Sequence, residues 1–219
     1  MANVKTIAIV GATGNMGSAI ARSLHGKYRL LLMSNEESKL VELKSELDKS
    51  KPAAEAYVVS CAREASWEAD IIIVATPYEA EKEVAEKIRE VAVGKIVVSI
   101  SNPLDSSYSQ LVTSEDSSAA EELQKLLPYS KVVKTFNTTF AADFMKPVID
   151  GKTLDAFIAG NNSDALGTVS EVVAAAGFIP VIVGDLTISR TLERMQSMLI
   201  QLAIKNNYRW HAGWKILHH

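Results

Sequence analysis

The residues best suited to chemistry in this chain are three glycines at a fixed spacing. Gly11, Gly14 and Gly17, with two residues between each, stand in Val4-Lys5-Thr6-Ile7-Ala8-Ile9-Val10-Gly11-Ala12-Thr13-Gly14-Asn15-Met16-Gly17. An apolar, β-branched run ends at Gly11, and a helical pattern follows with Met16, Ala19, Ile20 and Leu24 on one face. A helix opening on such a turn leaves its first N–H groups without partners and presents the positive end of its dipole. A pyrophosphate is the natural guest there. Gly11 suits the sharp turn, Gly14 the approach of backbone to phosphate, and Gly17 the packing of helix on strand. Thr13, Asn15 and Met16 complete the turn's candidate cofactor-binding set.

Other strand ends carry Ser34-Asn35, Thr76-Pro77, Asn102-Pro103 and Asn137-Thr138. These small polar groups can bond phosphate, ribose and carboxamide without adding charge. In doubly wound sheets, ligands bind beyond the carboxyl ends of the strands. The end of the second strand selects the coenzyme: an acid there accepts from the ribose 2′-OH, whereas donors and cations receive a 2′-phosphate. Here Met33 is followed by Ser34, Asn35 and Glu36, with Lys39 one turn on. Ser34, Asn35 and Lys39 favour NADP. Glu36 opposes it unless it points to solvent, and NAD stays open.

The catalytic residues are not legible. Of four histidines, His218 and His219 end the chain and are set aside. His25, at the end of the first helix, reads as structural. His211 lies in the tail between Trp210 and Trp214, and Lys205 ends the last helix; either could donate a proton in a small-molecule dehydrogenase. Tyr78 and Lys82 match the Y-x-x-x-K pattern of short-chain dehydrogenases, but too early in the chain for that role. No metal-ligand cluster is visible. Carbonyl reduction normally needs a proton donor. Hydride transfer between a nicotinamide and a flavin-like ring needs mainly stacking and orientation, and the residue set fits that reaction better. A non-catalytic NAD(P) sensor is the other alternative.

The elements that must position these residues alternate strand and helix. Strands are expected at Tyr28–Met33, Ala56–Ser60, Asp70–Ala75, Lys95–Ser101 and Lys131–Phe136, with helices at Glu36–Asp48, Glu79–Val91 and from Ser118 to Leu127. Ser118 and Glu121 form a capping box. Leu104–Ser118 reads as a loop. This alternation predicts an α/β doubly wound parallel Rossmann sheet in the order 3-2-1-4-5-6. Residues 1–150 form that dinucleotide-binding domain. Residues 151–219 form a small C-terminal α/β lobe: a strand at Thr153–Ala159, a helix at Ser163–Ala176, a strand at Ile179–Val183 and a long helix from Leu186 to Asn206. The lobe is expected to pack on the sheet and close the cleft. Met198, Leu199 and Leu202 are candidates for a homodimer interface.

Composition sets the class. The chain has 219 residues, is 47% hydrophobic and carries a formal net charge of −3. This balance argues against nucleic acid or a membrane surface as partner. A single cysteine, Cys61, fits a reducing compartment. With no apolar run of membrane-spanning length, a cytoplasmic protein is expected.

The whole chain resembles the oxidoreductases grouped around the archaeal F420-dependent NADP oxidoreductases. The cytosolic domain of the six-transmembrane ferric reductases is more distantly similar. The matching residues are Gly11 to Gly17, Ser34, Ala69-Asp70, Thr76-Pro77, Val132-Val133, Thr138, Ala141-Ala142, Ser189-Arg190, Leu192-Glu193, and Gly213 with Lys215-Ile216-Leu217. The resemblance implies NADP across the glycine turn and a small-molecule or cofactor acceptor stacked on the nicotinamide. That acceptor would be F420, a flavin or another planar group, and Asn137, Thr138, Thr139 and Phe140 fall at its site. The archaeal proteins carry two arginines where this chain has Asn35 and Glu36, and His and Pro at Asn137 and Phe140.

Overall fold

The computed structural model describes residues 4–218. Six strands form the parallel part of its main sheet: β1 (Thr6–Val10), β2 (Arg29–Met33), β3 (Ala56–Val58), β4 (Ile71–Val74), β5 (Ile96–Ser99) and β6 (Lys131–Lys134). Their spatial order is 3-2-1-4-5-6, as the alternating pattern predicts. The central strands β1 and β4 are almost wholly apolar because both faces of the sheet are covered there. Alternate residues face opposite layers. Ile7, Ile9, Leu30, Leu32, Ile71 and Ile73 pack with α1 (Asn15–Leu24) and α2 (Glu37–Ser50). Ala8, Val10, Leu31, Ile72 and Val74 pack with α3 (Ala62–Glu68), α4 (Tyr78–Ile88) and α5 (Ala119–Leu126). Leu40, Leu43 and Leu47 are the buried residues of α2, matching the expected inward face. Ser118 caps α5 by accepting from the Glu121 N–H, while its hydroxyl donates to the Glu121 carboxylate.

The structure adds elements that the apolar pattern does not announce. α3 fills the gap between β3 and β4 with a seven-residue helix whose buried face is only Ala62, Ala65 and Ser66. Such small residues leave little periodic signal. A two-stranded hairpin joins β7 (Val148–Ile149) to β8 (Lys152–Thr153). It turns at Asp150-Gly151, both in the left-handed region with φ of 48° and 74°, as an Asp-Gly hairpin turn requires.

The C-terminal strands join the main sheet. β9 (Asp155–Gly160) pairs antiparallel with β6, and β10 (Ile179–Gly184) runs parallel to β9, so one eight-stranded sheet spans both portions of the chain. α6 (Ser163–Ala175) connects β9 to β10, and α7 (Ser189–Asn206) follows after a short 3₁₀ turn. Because β9 runs against β6, it begins at the edge where β6 ends. The tail closes on that start: Asp155 accepts from Lys215 Nζ at 2.7 Å and from the Ile216 N–H at 2.6 Å. A Cβ on Gly213 would lie 2.6 Å from a Leu154 methyl carbon. The Gly213–Ile216 motif is therefore explained by docking of the tail.

Candidate functional site

The glycine turn has the geometry its spacing implies. Gly11 has φ of 92°, and a Cβ there would stand 2.5 Å from the Ala75 carbonyl oxygen. A Cβ on Gly17 would stand 2.2 Å from the Gly11 carbonyl oxygen. Gly14 is different: a Cβ there meets nothing nearer than 3.4 Å. The fold needs the first and third glycines, whereas a methyl group on the second would meet only ordinary van der Waals contacts. Gly14 is also the N-cap of α1, with no side-chain cap and no acid in the first turn. The α1 amides therefore point at a concavity suited to anionic phosphate. This cradle fits the pyrophosphate of the dinucleotide that the sequence predicts.

The sequence-predicted residues gather on the carboxyl edge of the sheet. Thr13 Oγ1 lies 2.5 Å from Ser34 Oγ, joining the glycine turn to the end of β2. Asn35 is exposed beside them. Lys39 Nζ lies 2.5 Å from Glu36 Oε2. Glu36 does not turn wholly to solvent, for its other oxygen accepts from Thr13 Oγ1 at 3.5 Å. After β4, Thr76 offers a buried hydroxyl with no protein partner, and exposed Pro77 is the N-cap of α4.

The ends of β5 and β6 are stapled together. Asn102 Nδ2 donates to the Asn137 carbonyl at 2.9 Å, and Asn137 Nδ2 donates to Asn102 Oδ1 at 3.0 Å. Phe136, the residue before Asn137, adopts φ of 60° while fully buried. That conformation costs a non-glycine residue about 1–2 kcal/mol. It is held by ring packing on Phe144 and Phe178, with centroids 5.3 and 6.3 Å away.

Beyond the staple lies a cleft of 850 Å³. One wall is the face of α1 carrying Met16, Ala19 and Arg22. The lining also includes Asn102, Thr139 and Phe140, with Gln196 and Ile200 of α7 and Trp210 of the tail. Phe140 and Trp210 meet edge to face, with centroids 5.5 Å apart. Thr139 and Phe140 thus line the cleft. Asn137 and Thr138, fully buried, stand behind it. The charged residue of the lining is Arg22, held by Glu46 at 2.7 and 2.9 Å.

The other predicted polar residues resolve into structural roles. His25 is buried, and its Nε2 lies 2.9 Å from the Leu47 carbonyl oxygen. Tyr78 donates to Glu122, which accounts for its hydroxyl without Lys82. His211 Nδ1 lies 2.8 Å from Asp143 Oδ1, and Asp143 Oδ2 also accepts from the Phe140 N–H at 2.9 Å. Burial raises the Asp143 carboxyl above its ordinary range, outweighing both bonds. The pair ties the tail to the turn that carries Phe140. His211 and Lys205 are not among the residues lining the cleft.

Sequence reasoning missed a buried ionic cluster behind the staple. Lys134 Nζ donates to Glu193 Oε1 at 2.6 Å and to the Ser101 carbonyl at 2.5 Å. Glu193 Oε2 accepts from the Ala119 N–H at 3.2 Å. Nearby Glu81 is also buried. Its carboxyl is pushed up to about 8, chiefly by burial; Lys134 draws it down and Glu193 pushes it up. The signal in the sequence was a lysine inside an apolar strand and a glutamate on the inner face of α7. Arg190, one turn before Arg194 on the same helix, grips Glu121 through two bonds of 2.8 and 2.6 Å. The Ser189-Arg190 and Leu192-Glu193 motifs therefore anchor α7 against α5 and β6.

Comparison with known proteins agrees with this geometry. Residues 6–103 match the family described as NADP oxidoreductase, coenzyme F420-dependent. The chain is 30% identical over 210 residues to the F420-dependent NADP reductase of Methanocaldococcus jannaschii, covering 91% of this chain and 92% of that one. It is 28% identical to the F420-dependent NADP reductase of Methanothermobacter marburgensis, covering 96% and 97%. A crystal structure from Arthrobacter sp. FB24 shares the fold with a TM-score of 0.84 at 22% identity, covering 99% of this chain and 100% of that one. Glycine turn, strand-end polar groups and near full-length similarity together place this chain in the NADP oxidoreductase family of the coenzyme F420-dependent type.

Proposed function

We propose that this protein transfers hydride between NADP(H) and a planar acceptor of the flavin or deazaflavin type. The observation that carries the reading is the lining of the 850 Å³ cleft that continues from the glycine turn. Apart from Arg22, which is paired with Glu46, it is built from aromatic, aliphatic and neutral polar groups, Met16, Ala19, Phe140 and Trp210 among them. Such a lining stacks and orients flat rings and excludes water. When bound, the nicotinamide supplies the hydride chemistry itself. The protein's part is to hold the phosphates at Gly14–Met16 and to set the ring beside Asn102. Thr139 and Phe140 then bound the acceptor's space, with Asn137 and Thr138 fixing the loop behind them. The names of the relatives support NADP as coenzyme and F420 as one acceptor.

The test is anaerobic turnover of purified protein with NADPH and, in parallel, F420, FMN, riboflavin and a ferric chelate. Oxidation of NADPH with at least one planar acceptor is expected. Failure with every acceptor, in protein that binds the coenzyme, would reject the proposal.

A further inference from the structure

The acid just beyond β2 makes contacts that the fold does not require. Glu36 precedes α2, yet its side chain gives that helix no cap. Its Oε1 accepts from Thr13 Oγ1 at 3.5 Å, across the glycine turn. Its Oε2 lies 2.5 Å from Lys39 Nζ. Its own N–H donates to Ser34 Oγ at 3.2 Å, and Ser34 Oγ lies 2.5 Å from Thr13 Oγ1. Four side chains thus converge where the first turn meets the end of β2. In doubly wound folds this is the place of the adenine ribose.

Two demands compete there. A ribose 2′-hydroxyl seeks an acceptor, and a carboxylate is the usual one. A 2′-phosphate brings about −1.5 to −2 charges and seeks donors and cations. Thr13, Ser34 and Lys39 serve the phosphate, whereas Glu36 serves the hydroxyl and holds Lys39 for itself. The pair carries no net charge. Both partners are more than half exposed, at 59% and 52%, so breaking their contact is cheap.

We infer that Glu36 is the coenzyme-selectivity residue of this chain. Paired with Lys39, it withholds a cation from the 2′-phosphate and offers an acceptor to the 2′-hydroxyl. NADH and NADPH are then both accepted. Replacing Glu36 frees Lys39 and shifts the site toward NADPH. The inference rests on the nicotinamide reading above but not on the identity of the acceptor.

The experiment is calorimetric titration of the intact protein with ADP and with 2′,5′-ADP, which share the adenosine and differ at the 2′ position. Wild type should bind the two within about tenfold, because the competing contacts are exposed. Glu36→Gln should raise the preference for 2′,5′-ADP about fivefold, the upper range of an exposed ion pair. Lys39→Gln should weaken 2′,5′-ADP alone. The NADPH-to-NADH ratio of kcat/KM should move in the same directions. If Glu36→Gln leaves the ratio of the two affinities within twofold of wild type, the inference is overturned. Loss of both affinities in a folded variant also overturns it, since Glu36 would then shape the whole site. Binding shifts as expected, without turnover of any acceptor, would reject the proposed reaction and uphold the role of Glu36.

Discussion

Lys134 and Glu193 form an ion pair of 2.6 Å with both side chains fully buried. The lysine sits at the end of β6 and the glutamate in α7, so the pair pins the C-terminal helix to the strand that delivers Asn137. Removing one partner strands a charge in the core, which costs about 3–5 kcal/mol. Lys134→Met should lower unfolding stability by that amount in a urea titration. Adding Glu193→Leu should recover most of the loss, because two apolar side chains leave no charge to solvate. A double variant as unstable as the single would show that the pair contributes more than charge compensation.

Glu81 makes stability depend on pH. Its carboxyl is raised from an ordinary 4.5 to about 8 in the folded protein. The folded state therefore holds a proton that the unfolded state has lost throughout that interval. Stability contributed by the neutral form is full below pH 4.5 and is lost as pH rises toward 8. Glu81→Gln should flatten this decline. Unfolding midpoints of the two proteins measured across the interval check it, and parallel profiles would refute the assignment.

The three glycines should separate by function. Gly11→Ala and Gly17→Ala push a methyl group into backbone at 2.5 and 2.2 Å. Each should cost about 2 kcal/mol or more and lower the thermal midpoint, as backbone strain of this kind does. Gly14→Ala meets only ordinary contacts. It should keep wild-type stability to within about 0.5–1 kcal/mol and weaken coenzyme binding at least tenfold. Calorimetry of folding and of nucleotide binding on the three variants gives the comparison.

Trp210 should matter to the acceptor and not to the coenzyme. Its ring meets Phe140 edge to face and closes the cleft from the tail. Trp210→Ala removes an aromatic contact worth about 0.5–1.5 kcal/mol beyond its buried area. The KM for the acceptor should rise about tenfold, with the coenzyme dissociation constant unchanged. Equal loss of both would place Trp210 in the folding of the tail.

Much of the fold was legible because parallel strands buried on both faces read as near-continuous apolar runs. Ile71–Val74 and Thr6–Val10 declare themselves that way, and the glycine turn between β1 and α1 has a steric reason at Gly11 and Gly17. α3 escaped because alanines bury little area and leave no stripe. The β7–β8 hairpin escaped because each strand has two residues, too few for a period.

The candidate site divides along the same line. Local sequence determined the phosphate cradle and the polar groups at the strand ends, since a turn and a strand terminus are set by residues adjacent in the chain. It did not determine what lies opposite them. The Asn102–Asn137 staple, the left-handed Phe136, the Lys134–Glu193 pair and the Phe140–Trp210 wall join residues far apart in sequence. Parallel pairing of β5 with β6 sets the two asparagines side by side, and β9 running against β6 returns the C-terminal segment to the same edge of the sheet. Only tertiary structure could decide that, because a lysine in a strand or a tryptophan in a tail has no partner until the sheet is built.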